Sequence, residues 1–441
     1  MVSVTGLLVV ALVLAPIAPS LAGAVPVPAT GADRSAATRP STAPSGLPAS
    51  APARPVASDR NTTEYLALDR SLETSRFGVA TLDVGGSVSA DGARTRSAYQ
   101  TSWLREAFAA AGDNDTERRA VVLDGADRID ARIATLERRS DTALTRYNAG
   151  EITTQAYLRE LAAISQAADS LRGAVSLLAT YNSAAGQPVA TERIATQKSR
   201  LLLLDGPVRD KLAAAMRGER DPIRVHVETT DEGVVLATID RRGFTRRYVR
   251  EASVPSARRP DGTDQFEATN DRIGAARDRF RELYPWTWSN RESTSIVAYQ
   301  GEPFLYTASV YSVRVGHAHG TSRTYDLIAF LDGATRDVFR EIQYKDLSRV
   351  PTIAADSNQS DGVRVSVNRT RSGGPMLVAA TDEASGDPLI ATVLIDGEPV
   401  GRTGTNGHRW VVAPRPTANV TVVRGDASAS VTVFSDGAPT G

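Results

Sequence analysis

The sequence predicts a multidomain protein with an N-terminal antiparallel helical bundle, a central α+β domain and a C-terminal all-β sandwich. Two stretches whose apolar residues alternate four and three positions apart, joined by a short loop, predict a coiled-coil-like helical hairpin. At Asp221-Pro222 the period changes from helical to alternating, which is typical of strands. From residue 363 onward, short strands separated by Gly- and Pro-rich turns recur at the spacing of a sandwich.

Residues 1–24 are predicted to be a signal peptide or an uncleaved anchor. The apolar run from Gly6 to Ala18 is too short to cross a bilayer comfortably, and Ala22-Gly23-Ala24 follows it as a cleavage site. Residues 25–60 are nearly all Pro, Ala, Ser, Thr and Gly and predict a disordered stalk. We therefore expect an exported, extracellular or cell-surface protein that touches the membrane only if this N-terminal segment stays uncleaved.

The composition excludes several classes of protein. The 441 residues include no cysteine, so a disulfide scaffold, a cysteine-ligated metal and a thiol enzyme are ruled out. The 51 basic and 51 acidic side chains cancel, which gives no long-range attraction to nucleic acid. No P-loop or dinucleotide-binding motif is present, and no cofactor is predicted.

The helical domain is assigned to residues 61–220. Its first seam contains Val122, Ala126, Ile129, Ile133, Leu136, Ser140, Ala143 and Tyr147, and its second contains Tyr157, Leu161, Ile164, Ala168, Leu171, Val175 and Leu178. Asn148 and Gly150 suit the end of the first helix, and Thr153 suits the N-cap of the next. A third apolar set near residues 194–212 is expected to close a three-helix bundle, and a shorter helix is predicted at 97–111.

The α+β domain is assigned to residues 221–350. Three alternating strands precede an amphipathic helix over 267–283, and four more strands follow it. A helix wrapped by an antiparallel meander is a cystatin-like arrangement. Residues 351–362 read as a linker to the sandwich at 363–441.

The hairpin from Asp326 to Tyr344 resembles that of the PepSY-like propeptide modules of exported proteins. Asp332, Thr335 and Val338 match the family's turn pattern, whereas Arg336 and Asp337 stand where a glycine is usual. The resemblance implies a non-catalytic module that binds or restrains a neighbour.

The C-terminal module is similar to the transthyretin-like, carboxypeptidase-regulatory-like sandwich. The similarity lies in the order of Gly386, Pro388, Leu389, Ala391, Val393, Asp396, Gly397, Val400, Gly401, Thr403 and Gly407. The resemblance implies an add-on binding or spacer unit.

Two clusters of residues could carry chemistry. His317 and His319 are two positions apart at a strand end and could contribute to a zinc or copper site, although a third ligand is missing, so an ordinary structural role is favoured. An arginine cluster could grip phosphate or an acidic glycan, or could simply protect exposed strand edges, which we favour. It comprises Arg241, Arg242, Arg246, Arg247, Arg250, Arg258 and Arg259.

Two further sets of residues have alternative roles. Tyr284, Trp286 and Trp288 could form a sugar-stacking platform, but core packing is favoured. Five N-x-[ST] sequons make glycosylation a prediction for an exported glycoprotein. They are Asn61, Asn114, Asn358, Asn368 and Asn419.

The whole layout resembles uncharacterised exported proteins of halophilic archaea. The Tyr147 to Leu161 loop and helix, the predominance of arginine over lysine and the terminal sandwich carry the resemblance. The leading hypothesis is a non-enzymatic cell-surface protein with an interaction or spacer role in the envelope, whose partner is an unknown envelope protein or glycan. The alternatives are a PepSY-like regulator or inhibitor of an exported peptidase, and a metal-dependent hydrolase. No catalytic residue is assigned.

Overall fold

A computed structural model describes residues 55–56, 64–68, 72–242, 245–291, 293–298, 309–319, 322–371, 373–415 and 417–434. The predicted signal peptide, most of the predicted stalk and Asn61 lie outside these residues. The described residues all fall within one compact unit, 51–441.

The described residues contain seven α-helices. They are α1 (Val84–Ala110), α2 (Asp115–Asn148), α3 (Thr154–Ala184), α4 (Thr191–Leu201), α5 (Pro207–Met216), α6 (Arg272–Leu283) and α7 (Pro285–Ser289). The loop between α2 and α3 is as predicted: Gly150 has a φ of 72°, and the Thr153 hydroxyl caps α3 by accepting from the Ala156 amide at 3.2 Å. Helix α1 is longer than the predicted helix at 97–111.

The strands come in chain order around these helices. Before α6 they are β1 (Pro55–Val56), β2 (Tyr65–Leu66), β3 (Thr74–Ala80), β4 (Ile223–Thr229), β5 (Val234–Arg242) and β6 (Thr245–Ser253). After α7 come β7 (Ser293–Ala298), β8 (Val310–His319), β9 (Ser322–Asp332) and β10 (Val338–Asp346). The C-terminal strands are β11 (Ile353–Ser360), β12 (Val363–Arg369), β13 (Pro375–Asp382), β14 (Thr392–Ile395), β15 (Glu398–Arg402), β16 (His408–Val412), β17 (Thr417–Arg424) and β18 (Ala427–Phe434).

The fold class predicted from the sequence is wrong, because the helices do not form a separate bundle with a coiled-coil-like hairpin. Strand β3 precedes all five N-terminal helices, yet it pairs antiparallel with β4 along its full length, from Thr74 opposite Thr229 to Ala80 opposite Ile223. Helices α1–α5 are therefore a long connection between two neighbouring strands. The predicted cystatin-like fold is also wrong, because the eight-stranded sheet has the order β3-β4-β5-β6-β10-β9-β8-β7 and includes β3 from before the five helices.

The apolar faces of the helices pack against the sheet as well as against one another. Tyr157, Leu158 and Leu161 of α3 pack in one apolar cluster with Val225 and Leu236 of the sheet. Burial on α3 is too broad for a narrow heptad seam, because the helix meets both its helical neighbours and the sheet. Gly78 lets β3 pass beneath this helix, since a Cβ there would lie 2.5 Å from the Leu158 side chain.

The β9–β10 hairpin lies inside the sheet, where both of its strands have a further neighbour. Its turn is held by Asp332, whose carboxylate accepts from the Thr335 amide at 3.1 Å. Arg336, at the position where the PepSY-like family has glycine, adopts a left-handed φ of 61°.

The C-terminal strands form two four-stranded antiparallel sheets, β11-β12-β13-β16 and β15-β14-β17-β18. Alternate apolar residues from both sheets meet in one core, as expected where each sheet buries one face. Val365 and Val378 of one sheet and Val393, Val420 and Val422 of the other are fully buried there.

Candidate functional site

A cleft of about 880 Å³ opens where the eight-stranded sheet meets the sandwich. Strand β3, the approach to β4, the β5–β6 hairpin, β15 and β16 all contribute to its walls. The lining residues are Phe77, Val79, Arg220, Asp221, Pro222, Ile223, Arg224, Ile239, Asp240, Arg241, Arg246, Val400, Gly401, Arg409, Trp410, Val411 and Val412.

Buried polar contacts hold the two walls of the cleft together. Glu228 of β4 accepts from the Arg415 guanidinium of the sandwich at 2.9 Å, and the Tyr248 hydroxyl donates to the Gly373 carbonyl at 2.7 Å. Burial alone would raise the pKa of Glu228, but the nearby Arg415 charge outweighs it and holds that pKa below its usual value. The apolar cluster beside these contacts comprises Ala237, Tyr248, Leu347 and Val412, with Phe77, Ile239, Val350 and Trp410 packed against it. The cleft is therefore preformed.

The lining carries five arginines and only two aspartates. One of those acids, Asp240, already accepts hydrogen bonds from Lys211 and Arg220. Burial tends to raise the pKa of Asp240, but these two cations outweigh it and lower the pKa. Asp240 is thus already paired with Lys211 and Arg220, and it does little to neutralise the other four lining arginines.

Arg224 is the only one of the remaining four lining arginines with an ion pair among the described residues. Its guanidinium lies 3.4 Å from the Glu398 carboxylate, which is about half exposed. Burial lowers the pKa of Arg224 despite the opposing effect of Glu398. An exposed, long ion pair compensates this charge only partly.

Arg409 is held in place by the backbone of β15. Gly401 has a φ of 137°, and a Cβ there would lie 2.5 Å from an Arg409 guanidinium nitrogen, so a larger residue at this position would displace the guanidinium. The guanidinium donates to the carbonyls of Val400 and Arg402, each at 3.3 Å, while its Nε finds no partner in the described part of the chain. Burial, reinforced by Arg246 and Arg224, lowers the pKa of Arg409.

Arg241 and Arg246 face each other across the β5–β6 hairpin. They occupy directly opposite positions in the antiparallel register, where like charges destabilise a strand pair. Within the described ranges, no carboxylate forms an ion pair with either side chain. The cleft therefore concentrates permanent positive charge, since a guanidinium does not lose its proton at physiological pH.

The structure divides the arginine cluster predicted from the sequence. Only Arg241 and Arg246 reach the cleft, whereas the Arg247 guanidinium stacks 4.0 Å from the centre of the Tyr344 ring. Arg250 pairs with Glu341 at 2.9 Å, and Arg258 donates to Ser199. Arg259 contributes its backbone amide to Asp332, and the Arg242 side chain lies outside the described residues.

Sequence reasoning missed Arg220, Arg224, Arg409 and Trp410. The last two sit about 170 residues after the β5–β6 hairpin along the chain, so no local spacing connects them to it. The sequence around Arg224 and Arg409 gave no distinguishing signal, because both strands also contain other polar residues, such as His226 and His408.

Arg250 belongs to a buried structural network. The Glu341 carboxylate accepts from Arg250, from the Tyr284 hydroxyl at 2.8 Å and from the Leu66 amide at 2.8 Å. Arg250 in turn donates to the Leu66 carbonyl at 2.6 Å. This network anchors the segment around β2 to the sheet, so its charges are satisfied within the chain.

The histidines proposed as weak metal ligands lie at the end of β8. His317 pairs with Tyr325 and His319 with Ser322, and the register shifts between His317 and Ala318. Their side chains lie outside the described residues. Among the residues that are described, no group of three His, Cys, Asp or Glu side chains is placed to hold a metal ion.

The predicted aromatic platform is mainly core. Tyr284 is fully buried, with its ring stacked 4.6 Å from Phe280, and Trp288 is 7% exposed and packs edge-on to the same ring. Core packing, favoured from the sequence, is confirmed for these two residues.

The described sequons differ in their surroundings. The Asn114 side chain caps α2 by accepting from the amides of Thr116 and Glu117. Asn358 and Asn419 are exposed, and the Asn358 amide donates to the Ser430 carbonyl at 2.8 Å. Asn368 is half-buried on β12. Asn114 is exposed as well, so Asn368 is the least accessible of these four.

Family models match three successive parts of the chain. Residues 2–221 match a domain of unknown function, DUF7096, and residues 225–351 match a family of unknown function, DUF7094. Residues 354–431 match an archaeal fibronectin-III type-like domain. Comparison with curated proteins and with solved structures found no similar protein.

These matches agree with the expected resemblance to uncharacterised archaeal domains. The C-terminal match is to a fibronectin-III type-like domain, where the glycine and proline pattern indicated a transthyretin-like one. A halophilic source, export and the PepSY-like relationship stay predictions. No helix in the described ranges is both long enough and apolar enough to cross a membrane.

Proposed function

We propose that this chain is a non-enzymatic, exported cell-surface protein whose interaction site is the cleft between the sheet and the sandwich. The N-terminal apolar run and the Pro-, Ala- and Ser-rich segment after it support export to the cell surface. Two domains of unknown function followed by an archaeal fibronectin-III type-like domain are compatible with an interaction role.

The observation that carries this proposal is that the cleft is shared between two separately matched regions. Arg241 and Arg246 come from the region matched as DUF7094, and Arg409 and Trp410 come from the fibronectin-III type-like region. The buried Glu228–Arg415 ion pair keeps these regions in one orientation. A simple spacer needs no such preformed cleft, so we favour recognition over spacing.

The chemistry of the cleft favours binding over catalysis. Guanidinium groups stay protonated and donate hydrogen bonds, but they do not act as general bases. Asp240, one of the two lining carboxylates, is already engaged by two cations. These groups are suited to holding and orienting a ligand.

The two alternative functions have less support from the fold. A PepSY-like regulator of an exported peptidase stays a prediction, but the hairpin that prompted it has no free strand edge for a partner to extend. A metal-dependent hydrolase rests on His317 and His319 alone.

Fractionation of cells that express the full chain tests the location. We expect the protein in the envelope or the medium, where protease added to intact cells degrades it. Recovery only in the cytosol, protected until lysis, would contradict export.

Photo-crosslinking on intact cells tests the site. A photoreactive amino acid in place of Arg241 at the cleft should capture an envelope component, whereas the same group in place of the exposed Leu123 on α2 should not. Equal capture at both positions would show that the cleft is not the interaction site.

A further inference from the structure

We propose that the cleft binds an acidic saccharide, a sugar chain that carries carboxylate or sulfate groups, through Arg246, Arg409 and Trp410. This inference rests on the proposed function, because it names the ligand of the same cleft.

The first step of the argument is uncompensated charge. Arg241, Arg246 and Arg409 have no ion pair within the described residues, and Arg224 has only a long, half-exposed one. Placing like charges opposite each other on paired strands costs stability. A ligand with several negative oxygens would reduce this repulsion by pairing with these guanidinium groups.

The second step is preorganisation. Gly401 provides the space in which the Arg409 guanidinium lies against the backbone, and two carbonyl acceptors hold it there. A guanidinium fixed in this way loses little freedom when it pairs with a carboxylate or sulfate. The buried Nε of Arg409 has no partner among the described residues.

The third step separates a saccharide from a small free anion. The cleft volume of about 880 Å³ lies within the range for drug-sized ligands, roughly 300–1,000 Å³, and exceeds what one phosphate or sulfate ion needs. Trp410 and Phe77 also line the cleft, and Trp410 is half-buried with part of its surface open. An aromatic face beside charged donors suits a sugar ring, which is apolar on one face and polar at its edge.

The fourth step disfavours a polynucleotide. Nucleic acid binding needs extended positive charge that neutralises many phosphates, whereas this chain has equal numbers of acidic and basic residues. Arg241, Arg246 and Arg409, which have no ion pair among the described residues, lie together in this one cleft. A short segment of an acidic chain fits that arrangement.

Calorimetric titration of the full-length protein tests the ligand class. The probes are trigalacturonate for carboxylate, a disulfated disaccharide for sulfate, maltotriose as a neutral sugar, and inorganic phosphate and AMP as other anions. We expect at least one acidic saccharide to bind with a Kd below about 1 mM, more weakly as salt rises, while maltotriose does not bind. Preference for carboxylate or for sulfate identifies the source of the charge.

Matched variants locate the binding. Arg246→Gln and Arg409→Gln should each weaken binding at least tenfold, and Gly401→Ala should act like Arg409→Gln by displacing that side chain. Arg241 also lines the cleft and is exposed, so Arg241→Gln keeps the test valid if a variant of the half-buried Arg246 or Arg409 does not fold. Arg138→Gln, an exposed arginine on α2, is the control and should bind like the unaltered protein.

The possible outcomes separate this inference from the proposed function. The inference is overturned if maltotriose, phosphate or AMP binds as tightly as the acidic saccharides, if no acidic saccharide binds, or if Arg138→Gln weakens binding as much as the cleft variants. Capture of a surface component through position 241 together with any of these results would leave the proposed function standing. Binding of an acidic saccharide by a protein found only in the cytosol would support the ligand and contradict the location.

Discussion

The ion pair between Glu228 and Arg415 should control the docking of the sandwich, and Glu228→Gln tests this. The carboxylate–guanidinium distance is 2.9 Å, and the two side chains are 2% and 16% exposed. Removing one charge of a buried pair typically costs about 3–5 kcal/mol, because the other charge stays desolvated without its partner. Since Arg415 keeps some access to water, we expect the lower end of that range, about 3 kcal/mol of unfolding free energy.

Urea denaturation combined with hydrogen exchange measures this loss. With a denaturant slope of about 1–3 kcal/mol per M, the midpoint of the sandwich transition should fall by about 1 M or more. Peptides from β4 and β16 should exchange faster, while peptides from the N-terminal half of α2 should stay protected.

An exposed ion pair provides the matched control. Arg128 and Asp124 lie 3.0 Å apart on α2 with both side chains about half exposed, so Asp124→Asn should cost no more than about 0.5 kcal/mol. If Glu228→Gln shifts the transition no further than Asp124→Asn does, the ion pair does not control docking. Arg415→Gln and the double variant complete the cycle that isolates the coupling between the two residues.

Three other outcomes are expected. Arg246→Gln should raise the melting temperature of the ligand-free protein in low salt, because it relieves repulsion with Arg241. This gain should shrink in 1 M salt, where charges are screened. A loss of stability in the variant would contradict the uncompensated charge in the cleft. Burial is the main reason why the pKa of His226 lies below its ordinary value of 6.5. Below about pH 6.5 the unfolded chain therefore binds a proton at His226 more readily than the folded chain does. The stability of the fold should fall as the pH drops below that value. His226→Gln should flatten that part of a stability-against-pH curve, and an unchanged curve would show that His226 does not cause it. Leu161→Ala should cost about 2–5 kcal/mol and speed exchange in β4 as well as α3, whereas exchange confined to α3 would show that helix and sheet do not share a core.

The long helices could be predicted because their signals are local. An apolar residue every three or four positions marks one face of a helix, and Thr153 and Gly150 mark the boundaries of a loop by their own conformational preferences. The partner of that face carries no local signal. Tyr157 and Leu161 would look the same whether they packed on another helix or, as they do, on a sheet as well.

The candidate site could be predicted only in part from the sequence. The sequence showed a cluster of arginines around the β5–β6 hairpin, but strand alternation and the wider fold divide them among the cleft, a stacking contact and buried ion pairs. Arg409 could not be included from sequence, because it joins the cleft through sandwich packing and the space at Gly401.

The sequence alone determined the balanced charge, the absence of cysteine, the long helices and the repeated short strands of the C-terminal region. The tertiary structure decided that β3 joins β4 across five intervening helices, and that the helices cover a sheet. It also turned a neutral chain into one with a concentrated positive cleft. Net charge is a sum over the chain, whereas the field at a site depends on which charges pair within a few ångströms, and only long-range packing decides that.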